Sequence, residues 1–405
     1  MNRIFLDVHA LQTVPPSNLN RDDTGAPKSA VYGGVPRARV SSQAWKRATR
    51  GYFNTAQLLD PSELGVRTKK VAELLATRIT DRDASIAEAD ALRLAAAVIE
   101  TATGMKLAVP ERKARGAKAK AAAGKETADE APRSKYLLFL SARQLDGLAA
   151  LAIDGAADIT AYLTDKDNKA RAKRIADTGH SVDIALFGRM VADSTDFNVD
   201  AACQVAHAIS VHRVDNESDY FTAVDDANTD AESGAGMIGT VDFNSATLYR
   251  YAAVSVHQLA ANLGEGQRDD EPLATPVRRA VEAFVHAFIA SLPTGKINTF
   301  GHHTLPDAVV VTLRATRPIS FVAAFEEPVT AESGSGHLRE ASDRLAAYIP
   351  EIERAYGDEE STRTWVLRVG SATGKLAGVG EEASSLTSLV EAVGGAVAER
   401  LEKPA

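Results

Sequence analysis

MIGTVDFNSATLYRYAAVSV, residues 237–256, decides the fold class. Apolar and polar side chains alternate through it, with Phe243, Ala246, Leu248 and residues 249–254 supplying the apolar content, so it reads as a long strand. Three more runs read as strands: RIFLDVHAL (3–11), ended by Pro15 and Pro16, then AVVVTLRAT (308–316) and ISFVAAF (319–325). Helical spacing covers about 62–79, 84–103, 135–176 and 273–292, and two late helices flank a strand at TWVLRVG (364–370). Strands interleaved with helices imply α/β or α+β architecture, and no fixed-period repeat is visible.

The composition, 45% hydrophobic and 25% charged over 405 residues, is that of a globular chain of two or three domains. The N-terminus has neither an apolar h-region nor a cleavage site, and no stretch reaches the roughly 18 apolar residues of a membrane span. A soluble, cytoplasmic protein without a membrane partner is expected. The single cysteine, Cys203, fits a reducing compartment and excludes an internal disulfide.

A net charge of -8 argues against a polyanionic partner until its distribution is considered. Residues 1–50 hold eight Lys/Arg (Arg3, Arg21, Lys28, Arg37, Arg39, Lys46, Arg47, Arg50) and three Asp, a net +5, so the other 355 residues sum to -13. A basic site on an acidic body has this signature. The cations converge on residues 15–50. A long loop (15–38) with Gly33 and Gly34, which would let its backbone approach a ligand, leads into a helix from about Gln43 to Leu59, capped by Ser41 or Ser42. Trp45, Ala48, Tyr52, Ala56 and Leu59 would face the core, and Gln43, Lys46, Arg47, Arg50 and Asn54 the other side.

Residues 111–133, ERKARGAKAKAAAGKETADEAPR, have almost nothing apolar to bury and are expected to be disordered. GHSVDIALFGRM (179–190) reads as a strand and turn, and the acidic stretch 212–236 carries Tyr220 and Phe221 side by side.

Enzyme signatures fail. GSATGK (370–375) has the wrong glycine spacing for a phosphate loop, PTGK (293–296) lacks the first loop glycine, and GKLAGVG is no dinucleotide fingerprint. His302 and His303 are adjacent and would point to opposite faces of a strand, which makes poor joint metal ligands. Cys203 and His207 have nucleophile–base spacing on a helix, but a buried helix face in DAACQVAHAIS explains the pair more simply.

NLNRDD (18–23), GGVPRARVSSQAWKRATR (33–50), SVDIALFGRM (181–190), HAISVHRVDNESDYFTAVDD (207–226) and GTVDFNSATLYRYA (239–252) together resemble the CasC family, the crRNA-binding backbone subunit of type I-E CRISPR Cascade. The resemblance weakens after about residue 310 and is absent from the 111–133 tract. It implies an α+β, hand-shaped protein: a discontinuous RRM-like (ferredoxin-like) palm (1–59 and 181–405), a helical fingers insertion (60–180) and a protruding thumb hairpin (209–238). It implies crRNA contacts at Arg21, Lys28, Arg39, Ser41, Ser42, Gln43, Lys46, Arg47, Arg50 and Met190, with Tyr220, Phe221 and Thr222 as a thumb wedge between bases. Cations and helix N-terminal donors suit phosphates of any sequence. The implied partners are crRNA, target DNA through the guide, further copies head-to-tail and other Cascade subunits, with no cofactor, metal or catalytic residue. Two other readings compete: a type III-like endoribonuclease using Asp22 or Asp23 with Mg2+, and a purely structural oligomer.

Overall fold

The computed structural model describes residues 3–109, 131–191, 197–223, 237–264, 271–272, 274–331, 336–357 and 361–402. Apart from residues 131–133, the tract expected to be disordered lies outside them. The chain divides into two compact units: Met1–Leu59, Cys203–His257 and Val277–Ala405 form the first, and Asp60–Ala202 with Gln258–Pro276 the second. The architecture is mixed α+β. No described helix is long and apolar enough to cross a membrane.

The first unit is organised by the long strand, observed at Met237–Ser255. It pairs antiparallel with Phe5–Ser17, which pairs on its other side with Ala308–Arg314. Among the described residues the sheet has ten strands, running Glu381–Glu382, Arg363–Arg368, Ala308–Arg314, Phe5–Ser17, Met237–Ser255, Ala208–Ser210, Val35–Val40, Ser29–Tyr32, with Cys203–Val205 and Glu217–Ala223 also paired to the long strand. Its apolar faces bury Leu6, Val8, Leu11, Val310 and Val366, each worth roughly 1.5–3 kcal/mol.

Several expectations are corrected. The first strand does not stop before Pro15: it continues to Ser17, because the register slips by one residue between Val14 and Ser17 and the prolines sit in that bulge, where no ladder N–H is required. The 15–38 loop contains a hairpin, Ser29–Tyr32 with Val35–Val40. Gly33 and Gly34, with φ of 60° and 76°, form its turn. A Cβ on Gly33 would sit 1.6 Å from the Glu326 carbonyl oxygen, so this glycine serves packing and not ligand approach.

ISFVAAF is not a strand but a 3-10 turn at Val322–Phe325. Both edges of Ala308–Arg314 are already paired, and side chains satisfy the segment's amides instead: Ile319 N donates to Asp7 Oδ2 (3.0 Å) and Phe321 N to Tyr249 Oη (2.9 Å). DAACQVAHAIS is not a helix. Cys203–Val205 and Ala208–Ser210 are short strands captured by the long one.

The second unit packs Val71–Arg82, Glu88–Thr103, Ala142–Asp154, Ile159–Thr164 and Lys166–Asp177 around Leu75, Ile79, Leu94, Val98, Leu145 and Leu148. The helix expected from 135 to 176 is broken by its own caps: Ser141 and Gln144 make a capping box after a strand at Leu138–Ser141, and Asp158 and Asp165 cap the next two helices. Residues 182–187 are a short helix, not a strand. Val182, Ile184, Ala185 and Leu186 are all buried, and a short apolar run buried on every side carries no period to distinguish the two.

Candidate nucleic-acid interface

The basic helix is Ser42–Thr55. Its buried stripe is Trp45, Thr49 and Phe53, so Ala48, Tyr52 and Ala56 lie at the flank of the expected core face. On the outside, Gln43 and Arg47 are exposed and Ser42, Lys46 and Arg50 half-buried. Among the described residues Lys46 and Arg47 make no ion pair. Ser41 is the cap: it is 5% exposed, its Oγ accepts from Ala44 N (3.4 Å), and its own N–H donates to Asn20 Oδ1 (2.9 Å).

Asn20 also ties in the preceding loop. Its carbonyl accepts from Lys28 N (2.9 Å), and the Lys28 carbonyl accepts from Arg39 N (2.9 Å). Arg21, Lys28, Arg39 and the start of the basic helix are thereby brought to one surface, with a shallow recess lined by Asn20, Lys28, Arg39 and Asn244. Amide side chains fix the loop to the root of the Glu217–Ala223/Met237–Ser255 hairpin: Asn18 Nδ2 donates to Gly25 O (2.9 Å) and Asp242 O (2.8 Å), and Asn216 Nδ2 donates to Pro27 O (3.4 Å).

Arg37 belongs to the scaffold and not the surface. It is fully buried, and its guanidinium donates to the carbonyls of Tyr32, Ser210, Phe325 and Glu326. His207, dismissed in the sequence as a helix-face residue, is exposed, with Nδ1 3.3 Å from Arg39 Nη1. The signal for His207 was concealed because its strand environment depends on pairing with residues more than forty positions away.

On the hairpin, Tyr220 lies opposite Thr240, Phe221 opposite Gly239 and Thr222 opposite Ile238. Neighbouring strand residues point to opposite faces, so Tyr220 and Phe221 do not form one aromatic tip. Tyr220 (64% exposed) shares a face with Thr222 and Ile238 (60% exposed). Phe221 covers Gly239, where a Cβ would meet the ring at 2.5 Å. Residues 224–236, part of the expected thumb, lie outside the described residues. Met190 belongs to the second unit and is 84% exposed.

Asp22, Cys203, His302 and the two glycine loops all sit in structural contacts. Asp22 Oδ1 accepts from Thr24 Oγ1 (2.7 Å), Thr24 N (2.9 Å) and Ala26 N (3.0 Å), and these bonds, the Thr24 hydroxyl foremost, hold its carboxyl below the usual range. Burial pushes the Cys203 thiol up to about 12, which removes it as a nucleophile. His302 is buried with Nε2 3.2 Å from Pro293 O. Lys375 of GSATGK pairs with Asp343 (2.6 Å), and Gly295 of PTGK is wedged against the Leu19 carbonyl. No group of three metal-ligating side chains occurs among the described residues.

The CT1975-like protein family matches residues 6–392. A solved chain described as "CRISPR RNA-guided surveillance complex, pre-nicking" is 33% identical with a TM-score of 0.78, covering 97% of this chain and 100% of its own. Another, "CRISPR RNA-guided surveillance complex", is 30% identical with a TM-score of 0.69, covering 97% and 99%. No curated protein matches. The chain belongs to the CT1975-like protein family.

Proposed function

We propose that this CT1975-like protein is a non-catalytic crRNA-binding backbone subunit of a type I-E CRISPR Cascade complex, polymerising head-to-tail along the guide and presenting it in segments to target DNA beside other Cascade subunits. The observation that carries this reading is the outer face of Ser42–Thr55. Gln43, Lys46 and Arg47 stand there without a carboxylate partner among the described residues, beside Arg21, Lys28 and Arg39 on an otherwise acidic chain. Such a face binds the sugar-phosphate chain irrespective of sequence, as a subunit accepting variable guides must.

Within the palm proposed at 1–59 and 181–405, an RRM-like arrangement is supported for the first unit by the antiparallel order Ala308–Arg314, Phe5–Ser17, Met237–Ser255, Ala208–Ser210, in which the first strand is central; 181–202 and 258–276 pack with the second unit. The fingers are assigned to 60–180 and the thumb to 209–238. Arg21, Lys28, Arg39, Ser42, Gln43, Lys46, Arg47 and Arg50 take the RNA backbone, Ser41 orients the helix start, the thumb residues separate bases, and Met190 packs against a displaced base. A thumb engaging the next copy is a heterologous contact, which propagates as a filament.

The endoribonuclease reading requires a loop carboxylate free to hold Mg2+; the bonds to Asp22 disfavour that residue, which leaves Asp23 to carry the reading. Nuclease footprinting of the protein on a labelled RNA tests both: accessible nucleotides at a regular interval support the scaffold, and regularly spaced cuts made by the protein itself in magnesium overturn it.

A further inference from the structure

The second unit carries a basic surface that the reading above does not use. Three segments converge there. Leu107–Ala108 pairs with Arg133–Ser134, and Gly65–Thr68 pairs with Leu138–Ser141. Ser134, 3% exposed, draws the third contact: its N–H donates to Lys69 O (3.0 Å), and its hydroxyl lies 2.6 Å from Tyr136 O and 3.3 Å from Lys69 O. The buried serine therefore fixes the backbone of Lys69 beside that of Tyr136.

The side chains of these segments are of two kinds. Arg67, Lys69, Lys106 and Lys135 are exposed cations, and Arg67, Lys69 and Lys106 make no ion pair among the described residues. Tyr136, two residues from Ser134, is 38% exposed, with Lys135 Nζ 4.9 Å from its ring centroid. Two carboxylates border these segments: Glu73 pairs with Lys70 (3.1 Å), and Glu100 accepts from Leu107 N (2.7 Å).

We infer that this surface binds a single-stranded polynucleotide, with phosphates on Arg67, Lys69 and Lys106 and a base stacked on Tyr136. Arg67, Lys69 and Lys106, which form no ion pair among the described residues, give an acidic chain a local surface complementary to a polyanion. An aromatic ring on these segments adds the second element of strand recognition, because every base has a face to stack and the ring needs no particular sequence. Lys135 supplies positive charge at the ring itself. The site does not depend on the role given to Ser42–Thr55, since its residues belong to a separate compact unit.

The test uses the full chain with 15-nucleotide homopolymers, one RNA arm carrying 4-thiouridine and one DNA arm carrying 4-thiothymidine, followed by photo-crosslinking and peptide mapping. Crosslinks are expected in peptides spanning 66–70 or 133–137, and the arm that gives them identifies RNA or DNA as the occupant. Tyr136→Ala should abolish them and weaken oligonucleotide binding about tenfold, within the range stacking supplies, while Tyr136→Phe retains both and neither change moves the melting temperature. Crosslinks confined to peptides spanning 39–50 overturn this inference and leave the proposed function standing; crosslinks in neither region overturn both. If Lys69→Glu with Lys106→Glu binds the oligonucleotides like the parent but loses binding to polyglutamate, the surface is a protein interface and the inference fails.

Discussion

The guanidinium carbon of Arg250 lies 3.9 Å from the centroid of the Trp45 ring, and Phe288 closes its other side at 4.7 Å. No carboxylate pairs with it among the described residues: Arg250 Nη1 donates to Gln12 Oε1 (2.6 Å), Nη2 donates to the Phe288 carbonyl, and burial lowers its pKa to about 9, so it stays charged at neutral pH. A cation on the long strand thus anchors the inner face of the helix whose outer face carries the cations proposed to meet RNA.

Arg250→Ala removes that anchor and leaves Gln12 and the Phe288 carbonyl without their donor. A loss of roughly 3–5 kcal/mol is expected from the cavity and the unpaired acceptors together. Urea denaturation should register it as a lower midpoint, and RNA affinity should fall although Arg250 is buried away from any strand.

Acid should destabilise both units. His212 accepts from Thr247 N at Nε2 (3.1 Å) and reaches Arg213 O through Nδ1 (2.7 Å), an arrangement that requires the neutral ring. Burial lowers its pKa to about 4, and burial does the same to His180 in the second unit. A folded-state pKa depressed below the unfolded value of 6.5 contributes stability that is complete above pH 6.5 and is lost as pH falls toward 4. Each histidine accounts for on the order of 3 kcal/mol over that window. Melting temperature measured from pH 8 to pH 4.5 should be flat above 6.5 and decline below it, and a rising trend on acidification would contradict the assignment.

The two aromatic residues of the hairpin should separate experimentally. Tyr220→Ala removes an exposed ring and should erase the periodic footprint on RNA while leaving the melting temperature unchanged. Phe221→Ala uncovers Gly239 and should destabilise the hairpin, by about 1 kcal/mol as for an aromatic covering a strand glycine. Equal effects of the two changes on the footprint would return the pair to a single tip.

Legibility in the sequence followed locality. The long strand was read within one residue of its bounds, because alternation over nineteen residues is a strong signal, and the basic helix began one residue from its expected start. What was missed depends on distant partners. Cys203–Val205 is a strand because Ala252–Val254 offers an edge, and Phe321 is not in a strand because Tyr249 takes its amide. The cations of the candidate site were visible as a charge asymmetry. Which arginine was structural was not, since Arg37 and Arg39 are two residues apart on one strand and are distinguished only by the full burial of Arg37 among four carbonyls, where Arg39 meets one.

The central claim is that the outer face of Ser42–Thr55 holds an RNA backbone through charge, and a salt titration of RNA binding by Lys46→Glu with Arg47→Glu tests it most directly. The double variant should keep the parental melting temperature, lose at least a hundredfold in affinity at moderate salt, and show a slope of log K against log salt shallower by about 1.4, the value for two lost single-strand phosphate contacts. Parental affinity with an unchanged slope would contradict the account.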